Sequence, residues 1–182
     1  MSKTVIELKP GQVSLSEIRA VWSGAGVSLS ADAYAAIDAS AASIARIVAS
    51  GKTVYGVNTG FGLLANKSIE PARLAELQRN LVMSHACGLG EPLERRIVRL
   101  VMALKVVGLG RGHSGVRRIV VDHILAMLEK DALPAIPRQG SVGASGDLAP
   151  LAHLSAAMLG EGYIQLKNET LPAGEALQKI GL

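Results

Sequence analysis

Aromatic side chains are nearly missing from this chain: one Trp, three Tyr and one Phe in 182 residues. So few flat side chains leave little to stack on bases. The net charge of +4 comes from scattered basic residues, paired at most as Arg95-Arg96 and Arg117-Arg118. Nucleic-acid binding is therefore not expected. Cys87 is the one cysteine, so no internal disulfide can form, which suits a reducing, cytoplasmic setting. No clean apolar run of ~20 residues occurs, because Arg99 and Lys105 interrupt the stretch from Ile97 to Leu109. No membrane span is expected, and Met1 to Glu7 lack the apolar run of a secretory leader.

Several catalytic signatures are missing too. The four histidines, His85, His113, His123 and His153, never form His-Glu-x-x-His, and Cys87 has no cysteine neighbour, so no metal site is expected. No Gly-Lys-Ser/Thr of a phosphate-binding loop occurs. Gly112-His113-Ser114-Gly115-Val116 and Gly143-Ala144-Ser145-Gly146-Asp147 both miss the last glycine of a serine-hydrolase elbow. Gly108-Leu109-Gly110-Arg111-Gly112 fails the dinucleotide pattern and follows a helix rather than a strand.

What the chain has is aliphatic bulk. Hydrophobic residues are 49%; adding the 20 Gly and dropping Tyr brings the apolar class to roughly 58%, against ~45–50% in ordinary domains. Charged residues are 19%, below the usual quarter. Such a chain has more apolar surface than it can easily bury alone, which predicts an oligomer, a piece of a longer chain, or both.

Periodicity predicts a mainly α fold with minor β. Val5 to Leu8 reads as a strand and Leu15 to Trp22 as a short helix. Ser30 is a candidate cap for a helix carrying the stripe Tyr34, Ile37, Ala41, Ile44 and Val48, ended by Gly51. Thr53 to Val57 reads as a strand. Pro71 starts a helix with Leu74, Leu77, Leu81 and His85 on one face. Pro92 is expected to open the next helix, apolar almost all round from Ile97 to Val107 and so buried on every side. Val116, Ile119, Val120, Ile124 and Met127 make a further helix, closed by Pro134 and Pro137. A glycine-rich loop, Gly140 to Gly146, leads into a helix from about Leu148 to Leu159. A hairpin of Tyr163–Leu166 with Thr170–Leu171 and a short helix follow.

The loop holds the chemistry. Read plainly, it is a flexible approach to a helix capped by Asp147. Ala144-Ser145-Gly146 also allows self-modification. In a tight bend the Gly146 amide nitrogen bonds to the Ala144 carbonyl carbon, and that adduct loses one water. A second water leaves across Cα–Cβ of Ser145, giving 4-methylideneimidazol-5-one. Gly146 leaves its nitrogen unobstructed, Ser145 supplies the leaving hydroxyl and Ala144 is small enough for the bend. The tripeptide alone is weak, since chance supplies it in roughly one such chain in ten or twenty.

The longer string Gly140-Ser141-Val142-Gly143-Ala144-Ser145-Gly146-Asp147-Leu148-Ala149-Pro150-Leu151-Ala152-His153 resembles the prosthetic-group segment of the aromatic amino-acid ammonia-lyases almost word for word. Val54-Tyr55-Gly56-Val57-Asn58-Thr59-Gly60-Phe61-Gly62 is similar to that family's catalytic-tyrosine loop. Leu77 to Leu81, with Ser84-His85-Ala86-Cys87-Gly88, resembles its substrate-selecting segment.

The resemblance implies the N-terminal part of the aspartase/fumarase-like helical ammonia-lyase fold. Residues 1–182 would be its prosthetic-group-bearing domain, with the central helical bundle and other site residues outside this chain, as in a truncated or cleaved product. It implies an autocatalytic prosthetic group from Ala144-Ser145-Gly146, no metal, and a homotetramer in the full-length protein. Tyr55 would be the base, His85 would contact the substrate side chain, and Gly62, with Phe61, would belong to a substrate-side lid. Ser84-His85 is similar to the histidine-specific members, which turn L-histidine into trans-urocanate and ammonia. A tyrosine or phenylalanine lyase, an aminomutase and an inactive truncated fragment are the alternatives.

In the family reaction the substrate amine becomes a better leaving group as a base takes a β-proton. Two routes fit the motif, with the electrophile meeting either the amine or the aromatic ring. A tyrosine with its ordinary pKa near 10 is ~0.1% ionised at neutrality, so base duty needs roughly 4 kcal/mol of anion stabilisation. Positive helix ends could supply part of that. Plain readings accompany each residue: a half-buried strand tyrosine for Tyr55, a satisfied core histidine for His85, an ordinary turn at Phe61, a buried thiol at Cys87.

Overall fold

The computed structural model describes residues 4–59, 69–143 and 146–182. The chain opens with a strand–helix–strand unit: β1 (Val5–Leu8), α1 (Leu15–Trp22) and β2 (Gly26–Leu29), with β1 and β2 parallel and Val5 opposite Gly26. A Ser-x-x-Glu box starts α1. The Ser14 amide donates to the Glu17 carboxylate at 2.7 Å, and the Glu17 amide donates to Ser14 Oγ at 3.3 Å. The Ser14 hydroxyl also holds that carboxyl below its ordinary pKa.

Helix α2 (Ala31–Ala49) follows Ser30, whose side chain makes no cap bond. Its stripe points inward as the spacing predicts: Ile37 is fully buried, Tyr34, Ala41, Ile44 and Val48 partly so. Next come a 3-10 turn (Pro71–Arg73), α3 (Leu74–His85) and β3 (Leu89–Pro92). The central pair, α4 (Arg95–Gly110) and α5 (Arg118–Glu129), carries the core. Val98, Met102, Ala103 and Val106 interlock with Val121, Met127 and Leu128, all fully buried. Strands β4 (Ala132–Pro134) and β5 (Pro137–Gln139) lead to the two-residue strands β6 (Val142–Gly143) and β7 (Gly146–Asp147). Helix α6 (Leu148–Met158), hairpin β8 (Tyr163–Leu166) and β9 (Glu169–Pro172), and α7 (Ala173–Lys179) complete the order. Strand β4 extends that hairpin into a three-stranded antiparallel sheet.

Arg99 is the fold's one deeply buried charge among the described residues, at 4% exposure. Its guanidinium donates to the carbonyls of Val21 (3.3 Å), Ala25 (2.6 Å) and Leu128 (3.4 Å), and to Asp131 at 2.9 Å. It thereby adds a second donor to the Val21 and Leu128 carbonyls at the C-terminal ends of α1 and α5, which also accept from the Gly24 and Asp131 amides, and serves the Ala25 carbonyl beyond α1. Arg95 joins the same Asp131 carboxylate. The residue that breaks the apolar run in sequence is the clamp that closes it in space.

Four expectations need correction. Thr53 to Val57 is no strand: the Asn58 side chain accepts from the Val54 amide and donates to the Lys52 carbonyl, both at 2.8 Å, folding the segment into a turn. Pro92 ends β3 instead of opening a helix. There Leu93 donates to Ile136 at 2.8 Å, which holds the chain extended until Glu94. Pro134 and Pro137 lie in β4 and β5 rather than merely closing α5. Helix α4 is not buried on every side, since Leu104 is 51% exposed and Gly108 is exposed as well; on α5, Ile119 also faces out.

Candidate functional site

The loop that precedes α6 is framed by backbone pairing. Strand β5 runs antiparallel to β3, with Gln139 opposite Leu89. Gly140 then crosses against α6 so closely that a Cβ there would lie 2.8 Å from the Ala149 methyl. Strands β6 and β7 pair with Gly143 opposite Gly146 and Val142 opposite Asp147. Only positions 144 and 145 separate the paired glycines, so the backbone enters and leaves that short connection side by side. Helix α6 begins at the next residue after β7, so its positive end lies beside the hairpin; the Ala149 amide there donates to the Ser141 carbonyl at 3.4 Å. Of the expected prosthetic-group residues, Gly146 is in β7, while Ala144 and Ser145 lie outside the described residues, as do Phe61 and Gly62 of the tyrosine loop.

Helix α3 lies along α6. Leu74, Leu77, Leu81 and His85 share its inward face, as their spacing predicts, and all are half-buried. Ser84 Oγ donates to the Leu81 carbonyl at 3.0 Å, so its hydrogen is spent. His85 Nδ1 lies 2.8 Å from the same carbonyl and 3.1 Å from Ser84 Oγ. Both neighbours accept, so Nδ1 carries a proton, which leaves Nε2 as the ring's other polar atom. The plain reading of His85, a histidine satisfied by its own helix, therefore holds for one nitrogen only. Beyond the helix, the Gly88 amide donates to His153 Nε2 on α6 at 2.9 Å. Burial lowers the pKa of His153 from its ordinary 6.5.

Tyr55 belongs to the turn built by Asn58, whose side chain and that of Thr59 are buried at 5% and 1% exposure. The Ile69 amide donates to the Asn58 carbonyl at 2.8 Å, bringing the two ends of segment 58–69 together. Tyr55 itself is 66% exposed, not the half-buried strand residue of its plain reading. Cys87 is exposed too, which corrects the expectation of a buried thiol; the chain there passes outside α6, and only Gly88 turns in to His153.

The structure thus gathers segment 84–88 and both flanks of 144–146 around α6, and places Tyr55 on a separate turn. Cavities of 540 and 730 Å³ lie elsewhere, beside Lys9 and Arg111 and beside Lys130 and Lys179, and take in neither Tyr55 nor His85. Among the described residues no three His, Cys, Asp or Glu side chains cluster as a metal would require. Sequence reasoning missed Asn58, Arg99 and His153. The first is visible beforehand as a turn-forming Asn; the other two act through partners distant in sequence.

A family model described as aromatic amino acid lyase matches residues 13–182. Histidine ammonia-lyase from Trypanosoma cruzi is 38% identical, with a TM-score of 0.89 over 98% of this chain and 34% of its own. Ergothionase from Treponema denticola superposes at TM-score 0.93 and 28% identity, over 98% of this chain and 36% of its own. Pantoea agglomerans phenylalanine aminomutase gives 0.89 and 28%, over 99% and 34%. The chain spans about a third of the length of these solved relatives and shares their mostly helical fold with minor sheet. By the match across 13–182, this chain belongs to the aromatic amino acid lyase family.

Proposed function

We propose that the chain forms part of a carbon–nitrogen lyase that eliminates ammonia from L-histidine to give trans-urocanate. The observation that carries this is the β6–β7 pairing in a chain of this family: Gly143 and Gly146 bracket the two residues that must bend for Ala144-Ser145-Gly146 to cyclise. A ring joining the Gly146 nitrogen to the Ala144 carbonyl carbon needs that tight a connection, so the residues fit 4-methylideneimidazol-5-one. Once formed, the group supplies an electrophile that a side chain of the ordinary twenty cannot.

The remaining roles fall to groups of this chain. The exposed Tyr55 side chain is open to a substrate and serves as the base for the β-proton. His85, its Nδ1–H committed to the Leu81 carbonyl and Ser84 Oγ, presents Nε2 to accept an imidazole N–H of the substrate. The positive end of α6 favours negative charge developing beside Gly146. Gly62 belongs to the substrate-side loop. Support for histidine over other amino acids comes from Ser84-His85 and from the 38% identity to a histidine ammonia-lyase. Residues 1–182 are the prosthetic-group-bearing N-terminal domain. A central helical bundle and neighbouring subunits of a cytoplasmic homotetramer complete the site.

The test is product formation by that assembly with L-histidine, L-tyrosine, L-phenylalanine and ergothioneine in turn. Only L-histidine should give rapid ammonia release with a trans-unsaturated acid. Tyr55→Phe should lower turnover by on the order of 10²–10⁴-fold, the usual worth of a positioned base, without altering the mass at 144–146. Preference for another substrate discards the histidine reading, and near-normal turnover in Tyr55→Phe places the base elsewhere.

A further inference from the structure

Helix α3 carries Ser84 and His85, yet none of its own side chains is fully buried. Beside the half-buried face of Leu74, Leu77 and Leu81, two polar contacts among the described residues hold α3 and its exit segment to α6 and the turn after it. One is the ion pair between Arg79 and Glu161, whose side chains are 55% and 40% exposed, a kind of contact that contributes little. The other is at Gly88. A Cβ at this position would lie 3.0 Å from His153 Nε2, 3.2 Å from the Gln139 carbonyl oxygen and 3.2 Å from Pro137 Cβ. A side chain there would crowd the point where these segments meet, so the neighbours would have to give by a few tenths of an ångström. Two of them are the flanks of residues 144–146: β5 and Gly140 lead into the hairpin, and α6 leads out of it.

The bond at that junction has a fixed direction. A backbone amide can only donate, so His153 Nε2 is bare and its ring proton sits on Nδ1. Burial disfavours the charged ring, which keeps the Nε2 lone pair available near neutrality. No apolar side chain could replace this acceptor, because the Gly88 amide would then be left without its partner.

We infer that His153 is a positioning residue: through Nε2 it ties the segment Ser84–Gly88 to the helix leaving residues 144–146, fixing the substrate-contacting histidine relative to the prosthetic-group loop. Its value to catalysis rests on the function proposed above, whereas the tie itself is independent of it.

Amide exchange and side-chain nitrogen spectra of the full chain test the tie, using His153→Leu and His153→Gln. The glutamine carbonyl can reach the place of Nε2 and accept from Gly88. The wild type should show the Nδ1–H form of His153. His153→Leu should raise exchange at Gly88 by about tenfold, the weight of one hydrogen bond, while Met102 in α4 keeps its protection. His153→Gln should restore it. In the active assembly, His153→Leu should raise the KM for L-histidine by about the same factor, with kcat within about threefold, and leave the two-water mass deficit intact. Unchanged exchange at Gly88 in His153→Leu overturns the tie. So does loss of protection spread equally through Met102, or a failure of His153→Gln to restore Gly88, since either marks a general packing role. An unchanged KM in His153→Leu, with exchange at Gly88 raised, removes its part in substrate positioning. A wild type without the mass deficit instead defeats the proposed function, and leaves the exchange result to decide the tie.

Discussion

Single residues decide how the apolar core meets the polar backbone it leaves uncovered. Arg99 shows this most sharply. It interrupts an aliphatic run, and in sequence that reads as a flaw in a helix, yet its guanidinium reaches three carbonyls and a carboxylate on three separate segments. Removing it takes the guanidinium from the Ala25 carbonyl and the Asp131 carboxylate, while the Val21 and Leu128 carbonyls keep the Gly24 and Asp131 amides. Arg99→Leu should therefore lower unfolding free energy by on the order of 3 kcal/mol in urea titration. Arg99→Lys should recover less than half of that, because an ammonium cannot span the fork. A loss under about 1 kcal/mol in Arg99→Leu would show that the clamp is ornamental. The role was hidden because Val21, Ala25, Leu128 and Asp131 are brought to Arg99 only by the fold.

Elements are fixed by periodicity where a side-chain pattern exists and by distant partners where it does not. The stripes of α2 and α3 and the β8–β9 hairpin were legible because their side chains alternate between core and solvent at a regular spacing. The β6–β7 hairpin had no such signal, since a glycine-rich run has almost no side chains to pattern. Thr53 to Val57 carries strand-forming residues, but Asn58 takes the backbone groups that a strand would pair. The end of α4 offers a test at this scale. Gly112 has φ +71°, and a Cβ there would lie 2.6 Å from Ala36 Cβ and 2.7 Å from its carbonyl carbon and oxygen. Gly108, one turn earlier, has nothing within 4 Å. Gly112→Ala should destabilise by roughly 2–4 kcal/mol through left-handed strain plus a clash with the α2 backbone. Gly108→Ala should be neutral or stabilise by up to about 1 kcal/mol. Equal effects of the two, by thermal or urea unfolding, would contradict this packing of α4 on α2.

At the scale of the whole molecule, two half-buried histidines tie stability to pH. Burial pushes His123 and His153 below their ordinary 6.5, and His123 Nε2 is buried with no hydrogen-bond partner among the described residues to offset it. As pH falls through 6.5 the unfolded chain takes up protons that the folded chain refuses, so stability is lost; above 6.5 both states are neutral there and the contribution is constant. The urea midpoint should therefore drop between about pH 7.5 and about pH 5.5, and a midpoint that holds or rises would contradict the burial of these rings. Periodicity forecast the mainly helical fold, and composition the apolar surface to spare. Leu15, Leu89 and Ile119 remain 82%, 70% and 60% exposed, a surface suited to the proposed assembly. Which segments approach residues 144–146 was not legible, because Gly88 meets His153 across 65 positions. The central claim is that these three residues become an electrophile, and intact mass with peptide mapping tests it most directly. The protein should weigh two waters less than its sequence, with the whole deficit in the peptide holding Ala144-Ser145-Gly146 and none in Ser145→Ala. A full-weight, unmodified peptide from correctly folded protein would contradict it.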